Sequence, residues 1–162
     1  MSGKLIAVLS VLVFALGYTL ATAVHTGQFA ALLQSPGELV PEQLSPSARV
    51  GADAIHVYAD KVVIDLEQPL WATFADTNSM DPLLDSGSFG IEVKPKSAEE
   101  LNVGDVAAYR SENGEMVIHR IVEIGEDSEG LYFVFKGDNV PFVDPEQVRF
   151  EQIEAVLVAV IY

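Results

Sequence analysis

No cysteine occurs anywhere in the 162 residues, which rules out disulfides, zinc-thiolate sites and cysteine nucleophiles. Histidine is nearly as scarce. His25, His56 and His119 are the whole supply, so any imidazole chemistry rests on one of these three. Positive charge is in short supply too: 9 Lys and Arg stand against 24 Asp and Glu, for a formal net charge of −15. Nucleic-acid binding needs Lys and Arg to meet phosphate, so nucleic acid is excluded as a partner. No internal repeat and no low-complexity tract is present, and no long amphipathic helical pattern appears after the first 25 residues.

What the chain has at its start is apolar length. Leu5 to Val24 is an uncharged run, preceded by Lys4 and followed by no positive charge until Arg49. At 1.5 Å rise per residue such a run spans about 30 Å, the thickness of a bilayer core. The positive-inside rule then leaves the N-terminus cytoplasmic and places the remainder outside. The expected organisation is a transmembrane anchor over 1–25, a linker over 26–52 and a β-rich domain over 53–162. A cleaved leader is the alternative, because Ala21-Thr22-Ala23 supplies a small-residue cleavage pattern. Both readings put the domain outside the cytoplasm. The linker assignment rests on Pro36, Gly37, Pro41 and Pro46 among scattered Ser and Gln.

From residue 53 onward the signals are those of strands. Ile55 and Val57, then Val62, Ile64 and Leu66, alternate with polar residues about Ala59-Asp60 in the manner of a hairpin. Further strands are expected at 70–74, 89–93, 106–110, 117–124, 131–136 and 155–162. Turn clusters separate them at Asp85-Ser86-Gly87, Glu112-Asn113-Gly114 and Asp127-Ser128-Glu129-Gly130, and Asn-Gly between two strand patterns is a strong hairpin signal. The fold class expected is mainly β, a folded-over sheet or partly open barrel behind one N-terminal transmembrane helix.

Three segments hold chemistry-bearing residues. Thr77-Asn78-Ser79-Met80-Asp81-Pro82 follows a strand and offers Ser79 on a turn stiffened by Pro82. Taken alone, the pattern is better explained by an ordinary turn serine. Val117-Ile118-His119-Arg120-Ile121 puts His119 inside an apolar strand, either as a satisfied core or half-exposed histidine or as a general base whose ring is held stiffly, and alternation sends Arg120 to the opposite face to meet a carboxylate. Lys136-Gly137-Asp138-Asn139 and Asp144-Pro145 place two aspartates in one loop, each also explained by turn chemistry. Together these segments hold a hydroxyl nucleophile, a base and an orienting acid, the set that acyl transfer requires.

The stretch Ser79-Met80-Asp81-Pro82-Leu83-Leu84-Asp85-Ser86-Gly87 resembles the nucleophile motif of the signal peptidase I family. Three further blocks resemble that family in order: Gly104-Asp105-Val106, Ile118-His119-Arg120, and Lys136-Gly137-Asp138-Asn139 followed by Asp144. The blocks cover about residues 71 to 162. The base position carries His119 where bacterial members carry Lys, which resembles the archaeal and endoplasmic-reticulum branch. Three positions depart from the family pattern: Ser88 stands for a common Asp, Val140 for a second Asn, and Ala155 for a Gly.

The resemblance implies a membrane-bound serine endopeptidase that removes signal peptides from exported precursor proteins. It implies Ser79 as nucleophile, His119 as base, Asp144 as the aspartate nearest His119 and Asp138 in support. It also implies an oxyanion hole from the Ser79 N–H and the Thr77 hydroxyl, with Met80 and Pro82 against substrate. Small side chains are expected at the first and third positions before the cut, with no metal or organic cofactor. Membrane lipid and the protein-export machinery are the further partners expected. Spacing alone does not choose between the two aspartates. The prolines near Asp144 restrict its backbone and free its side chain to point away, whereas Asp138 sits in a Gly-Asp-Asn turn. The alternative function is an inactive relative that binds extended peptides by strand pairing. A self-cleaving repressor is disfavoured, since the chain has neither a basic surface nor Lys at the base position.

Overall fold

The computed structural model describes residues 44–162. The expected membrane anchor and most of the expected linker lie outside them. Among the described residues, no helix is long and apolar enough to cross a membrane.

The described chain is built from eight strands in two antiparallel sheets. β1 (Ile55–Val57) and β2 (Val62–Ile64) form a two-stranded hairpin. The other six are β3 (Leu70–Thr73), β4 (Phe89–Val93), β5 (Val106–Arg110), β6 (Met116–Asp127), β7 (Gly130–Lys136) and β8 (Ile153–Ile161). They form one open sheet in the order β3-β4-β8-β5-β6-β7. The architecture is mainly β as expected, with no closed barrel. The hairpin expected at Asn113-Gly114 joins β5 to β6, and the turn at Ser128-Glu129 joins β6 to β7. Gly114 in the first turn and Gly130 at the start of β7 have φ of 82° and 108°, a region where glycine carries no Cβ penalty. The sixth strand runs three residues beyond the expected end at Ile124, because Gly125, Glu126 and Asp127 continue to pair with Tyr132, Leu131 and Gly130.

Strand alternation divides the apolar residues between two faces. On β5, Ala107 and Tyr109 join Ile121, Phe133, Phe135, Val148, Ile153 and Val156 in the larger core. Val106 points the other way and packs with Met80, Leu84 and Leu157 in a second cluster. Ile121, Phe133, Phe135, Val148 and Val156 are fully buried. Truncating one such phenylalanine to alanine costs about 3–5 kcal/mol. The sheet is thus filled on both sides under its middle strands, which gives β5 and β6 a rigid base for side chains at the site.

The segment before β1 is fastened to the sheet rather than free of it. Asp105, with no exposed surface, accepts hydrogen bonds from the Ser47 and Asn102 backbone N–H groups and pairs with Arg49 at 2.6 Å. Gly104 makes room for the crossing. A Cβ there would collide with the carbonyl oxygens of Ser45 and Leu44.

Candidate active site

Two loops and one strand converge on Ser79. The loop after β3 turns through Asn78, whose φ of 56° suits an asparagine, and presents Ser79 next. Its other side is anchored by Met80, 3% exposed, which lies in the second cluster. The loop after β7 comes back against it. The Asn139 N–H donates to the Ser79 carbonyl oxygen at 2.9 Å, the Asn139 side-chain amide donates to the Asn78 carbonyl at 2.9 Å, and the Asp138 N–H meets Met80 Sδ at 3.4 Å. A Cβ on Gly137 would lie 2.6 Å from the Ser79 carbonyl oxygen and 3.0 Å from His119 Nε2. Close approach, not a positive φ, is therefore what calls for glycine at that position.

His119 projects from β6 on the side of Ile121 and reaches both loops. Its Nε2 lies 3.1 Å from Ser79 Oγ, and its Nδ1 lies 2.7 and 2.9 Å from the two oxygens of Asp144. The ring and the carboxylate are mostly enclosed, with side-chain exposures of 13% and 10%. The carboxylate is aimed by its own backbone, since the Asp144 N–H donates to the Phe135 carbonyl of β7 at 2.7 Å. The Tyr109 hydroxyl also donates to Asp144 Oδ2 at 2.7 Å. Tyr109 is 2% exposed, and its ring packs on Phe135 with centroids 4.6 Å apart. Burial first, and then the Asp144 carboxylate, push the Tyr109 hydroxyl far above its ordinary value, so it remains a donor.

Asp138 takes a different place. It accepts a two-pronged ion pair from Arg120, at 2.8 Å to Nε and 2.6 Å to Nη2, on the face of β6 opposite His119. Arg120 Nη1 also donates to the Gly104 carbonyl at 2.7 Å. The geometry thus separates the two aspartates that spacing leaves equivalent: Asp144 contacts the imidazole, and Asp138 ties its loop to β6. Thr77 Oγ1 lies 3.1 Å from Ser79 Oγ. Pro82 follows a cis peptide bond, is exposed, and lies outside the groove that Met80 lines.

That groove, of about 760 Å³, runs from Ser79 and His119 across the sheet. β3, Phe74, Ala108, Ile118 and Ala155 form much of its wall, with Glu92, Arg110, Glu115 and Glu154 as its charged residues apart from His119. The other two histidines stand elsewhere. His56 pairs with Asp65 in the exposed β1–β2 hairpin, and His25 lies outside the described residues. Sequence reading alone does not single out Tyr109 or Glu92, because each sits in a strand pattern that its neighbours already explain.

An ordered series of hydroxyl, imidazole and carboxylate is equipped for nucleophilic attack on a carbonyl: one ring nitrogen faces the hydroxyl and the other is held by the acid. Over 79 residues, 49% of the chain and 42% of the relative, the sequence is 33% identical to signal peptidase I W of Bacillus subtilis (strain 168). Over 44 residues, 27% of the chain and 22% of the relative, it is 43% identical to an uncharacterized protein of Methanocaldococcus jannaschii. The chain therefore spans less than half the length of these curated relatives. No family model matches it, and no solved structure matches it.

Proposed function

We propose that this protein is a membrane-bound serine endopeptidase of the signal peptidase I type, in the branch that uses histidine as base, and that it cleaves signal peptides from exported precursor proteins. The observation that carries the reading is the unbroken series Ser79 Oγ, His119 and Asp144, with contacts of 3.1 and 2.7 Å. The likeness to signal peptidase I W over about half the chain supports the same chemistry.

In the proposed reaction Ser79 Oγ attacks the scissile carbonyl carbon while His119 Nε2 takes the hydroxyl proton. The imidazolium then gives that proton to the leaving amine nitrogen, and the C–N bond breaks to leave an acyl-serine. Water, deprotonated by the same nitrogen, attacks the ester and releases the new carboxylate. Asp144 keeps the Nδ1–H tautomer and stabilises the imidazolium without itself taking the proton. The Ser79 backbone N–H and the Thr77 hydroxyl are the donors proposed for the oxyanion, a role in which one lost donor costs about 10²–10³ in turnover. Asp138 supports the loop through Arg120, and Met80 lines the substrate groove. The proposed setting is a single-pass membrane protein with its catalytic domain outside the cytoplasm, beside lipid and the export machinery.

The hydrogen-bonded series favours catalysis over the alternative of a domain that only binds extended peptides. The deciding experiment is cleavage of a signal-peptide-bearing precursor by membrane-reconstituted protein, wild type beside Ser79→Ala. Wild-type cleavage and its loss in a folded Ser79→Ala protein are expected. Undiminished cleavage by that variant overturns the mechanism.

A further inference from the structure

Glu92 has no place in this chemistry, yet it lines the same groove as Ser79 and His119. It lies on β4 between Leu70 of β3 and Leu157 of β8. Its residue exposure is 7%, although it is a carboxylic acid. A buried carboxyl is ordinarily paired with a cation or several donors. Here, among the described residues, nothing meets it, and burial is the sole influence on its proton affinity, which it pushes above the usual carboxylate range.

The local backbone explains how an acid comes to be buried there. Ile91 pairs with Ala159 and Glu92 with Leu157, so Val158 is passed over and the β4–β8 register shifts. The extra residue is on β8, and β4 keeps its alternation through the shift, with Gly90 and Glu92 as its buried residues. At Gly90, on the same face of β4, a Cβ would meet Phe74 and Leu157 side-chain atoms at 2.7 and 2.9 Å. The groove wall beside Glu92 is therefore tightly packed, and the open groove is where a partner for its carboxyl can enter.

The rest of the groove carries the same sign. Glu115 and Glu154 line it as well, and Arg110, the one guanidinium, is already engaged by Glu154 at 3.3 Å and the Gly114 carbonyl at 3.2 Å. A substrate side chain bearing a positive charge supplies what Glu92 lacks, a charge-assisted donor in a site shielded from water.

We propose that Glu92 is a specificity-determining residue, forming the base of a subsite that selects peptide substrates with a basic side chain at one position before the scissile bond. This rests on the peptidase reading for the location of the scissile bond. It adds a cationic requirement to the small side chains that the family resemblance implies at the first and third positions before the cut.

The test uses the full chain in phospholipid vesicles and peptides of one sequence, varied singly at the five positions before the cut among Lys, norleucine, Ser and Ala. At one of these positions, Lys should exceed norleucine in kcat/KM by about tenfold or more. Glu92→Gln, which keeps the shape and removes the charge, should bring that ratio close to one. A ratio that survives Glu92→Gln, or Lys no better than norleucine at every position, overturns the proposal. Selection for Ser over Ala with none for Lys overturns it too, since the subsite then takes a neutral donor. A second arm measures binding of the same labelled peptides to Ser79→Ala, with and without Glu92→Gln. If wild type cuts none of the peptides, the peptidase reading fails. The binding arm still decides the subsite: a Kd ratio that depends on Glu92 sustains it, and no such dependence removes it.

Discussion

Tyr109 donates its hydroxyl to Asp144 Oδ2 at 2.7 Å, and that same oxygen lies 2.7 Å from His119 Nδ1. One carboxylate oxygen thus serves a buried phenol and the imidazole together. The phenol thereby helps to fix the position of the carboxylate against the ring.

Tyr109→Phe keeps the packing on Phe135 and removes only the donor. On the proposed mechanism, turnover should fall, because the carboxylate that orients the imidazole loses one of the groups that hold it in place. Stability should fall by about 1.5–3 kcal/mol, the range for a hydrogen bond to a charged group. Steady-state kinetics beside thermal unfolding check both. Unchanged turnover in a destabilised variant reduces Tyr109 to a packing residue.

Asp144 and Asp138 should fail in different ways. Asp144→Asn should cost on the order of 10⁴ in turnover, because the amide no longer fixes the tautomer or balances the imidazolium. Asp138→Asn breaks the two-pronged pair with Arg120, whose side-chain exposures are 12% and 13% for Arg120 and Asp138. Losing one partner of a fully buried pair costs about 3–5 kcal/mol, so a pair with this residual exposure should lose about 2–3 kcal/mol. Denaturant unfolding and precursor cleavage on both variants separate the two roles. Equal catalytic losses with equal stability in the two variants contradict the division.

Gly137→Ala tests the contact between the loops. The added methyl meets the Ser79 carbonyl oxygen and His119 Nε2, so one of them must give way. A misplacement of about 1 Å is worth about 10² in rate, and a loss of that order in kcat is expected while KM changes little. Unchanged turnover shows that the loop yields without moving the hydroxyl or the ring.

Much of this arrangement is legible in the sequence because strand alternation and turn chemistry report local structure. Asn113-Gly114 marks its hairpin, and Arg120 follows from alternation as the residue that turns away from His119 towards a carboxylate. The meeting of Asp144 with His119 depends on the path of the loop that follows β7. Proline restriction and family resemblance favour it, and the backbone bond from Asp144 to the Phe135 carbonyl accounts for it. Glu92 and Tyr109 stay hidden for a different reason. In Phe89-Gly90-Ile91-Glu92-Val93 alternation puts Glu92 on the face of Gly90, and that this face is the buried one follows from packing against Phe74 and Leu157, a property of segments distant in sequence. Tyr109 reads as one more apolar strand residue, since its partner lies 35 positions away.

The position of β8 bears on how the two parts of the site are held together. It is the last strand in chain order, yet it lies in the middle of the six-stranded sheet, between β4 and β5. Within the sheet, β8 is thus the strand that ties the β3–β4 ribbon to the β5–β7 meander. Ser79 follows the first of these, and His119 and Asp144 belong to the second, so the central strand holds in register the two parts that the Ser79–His119 contact spans.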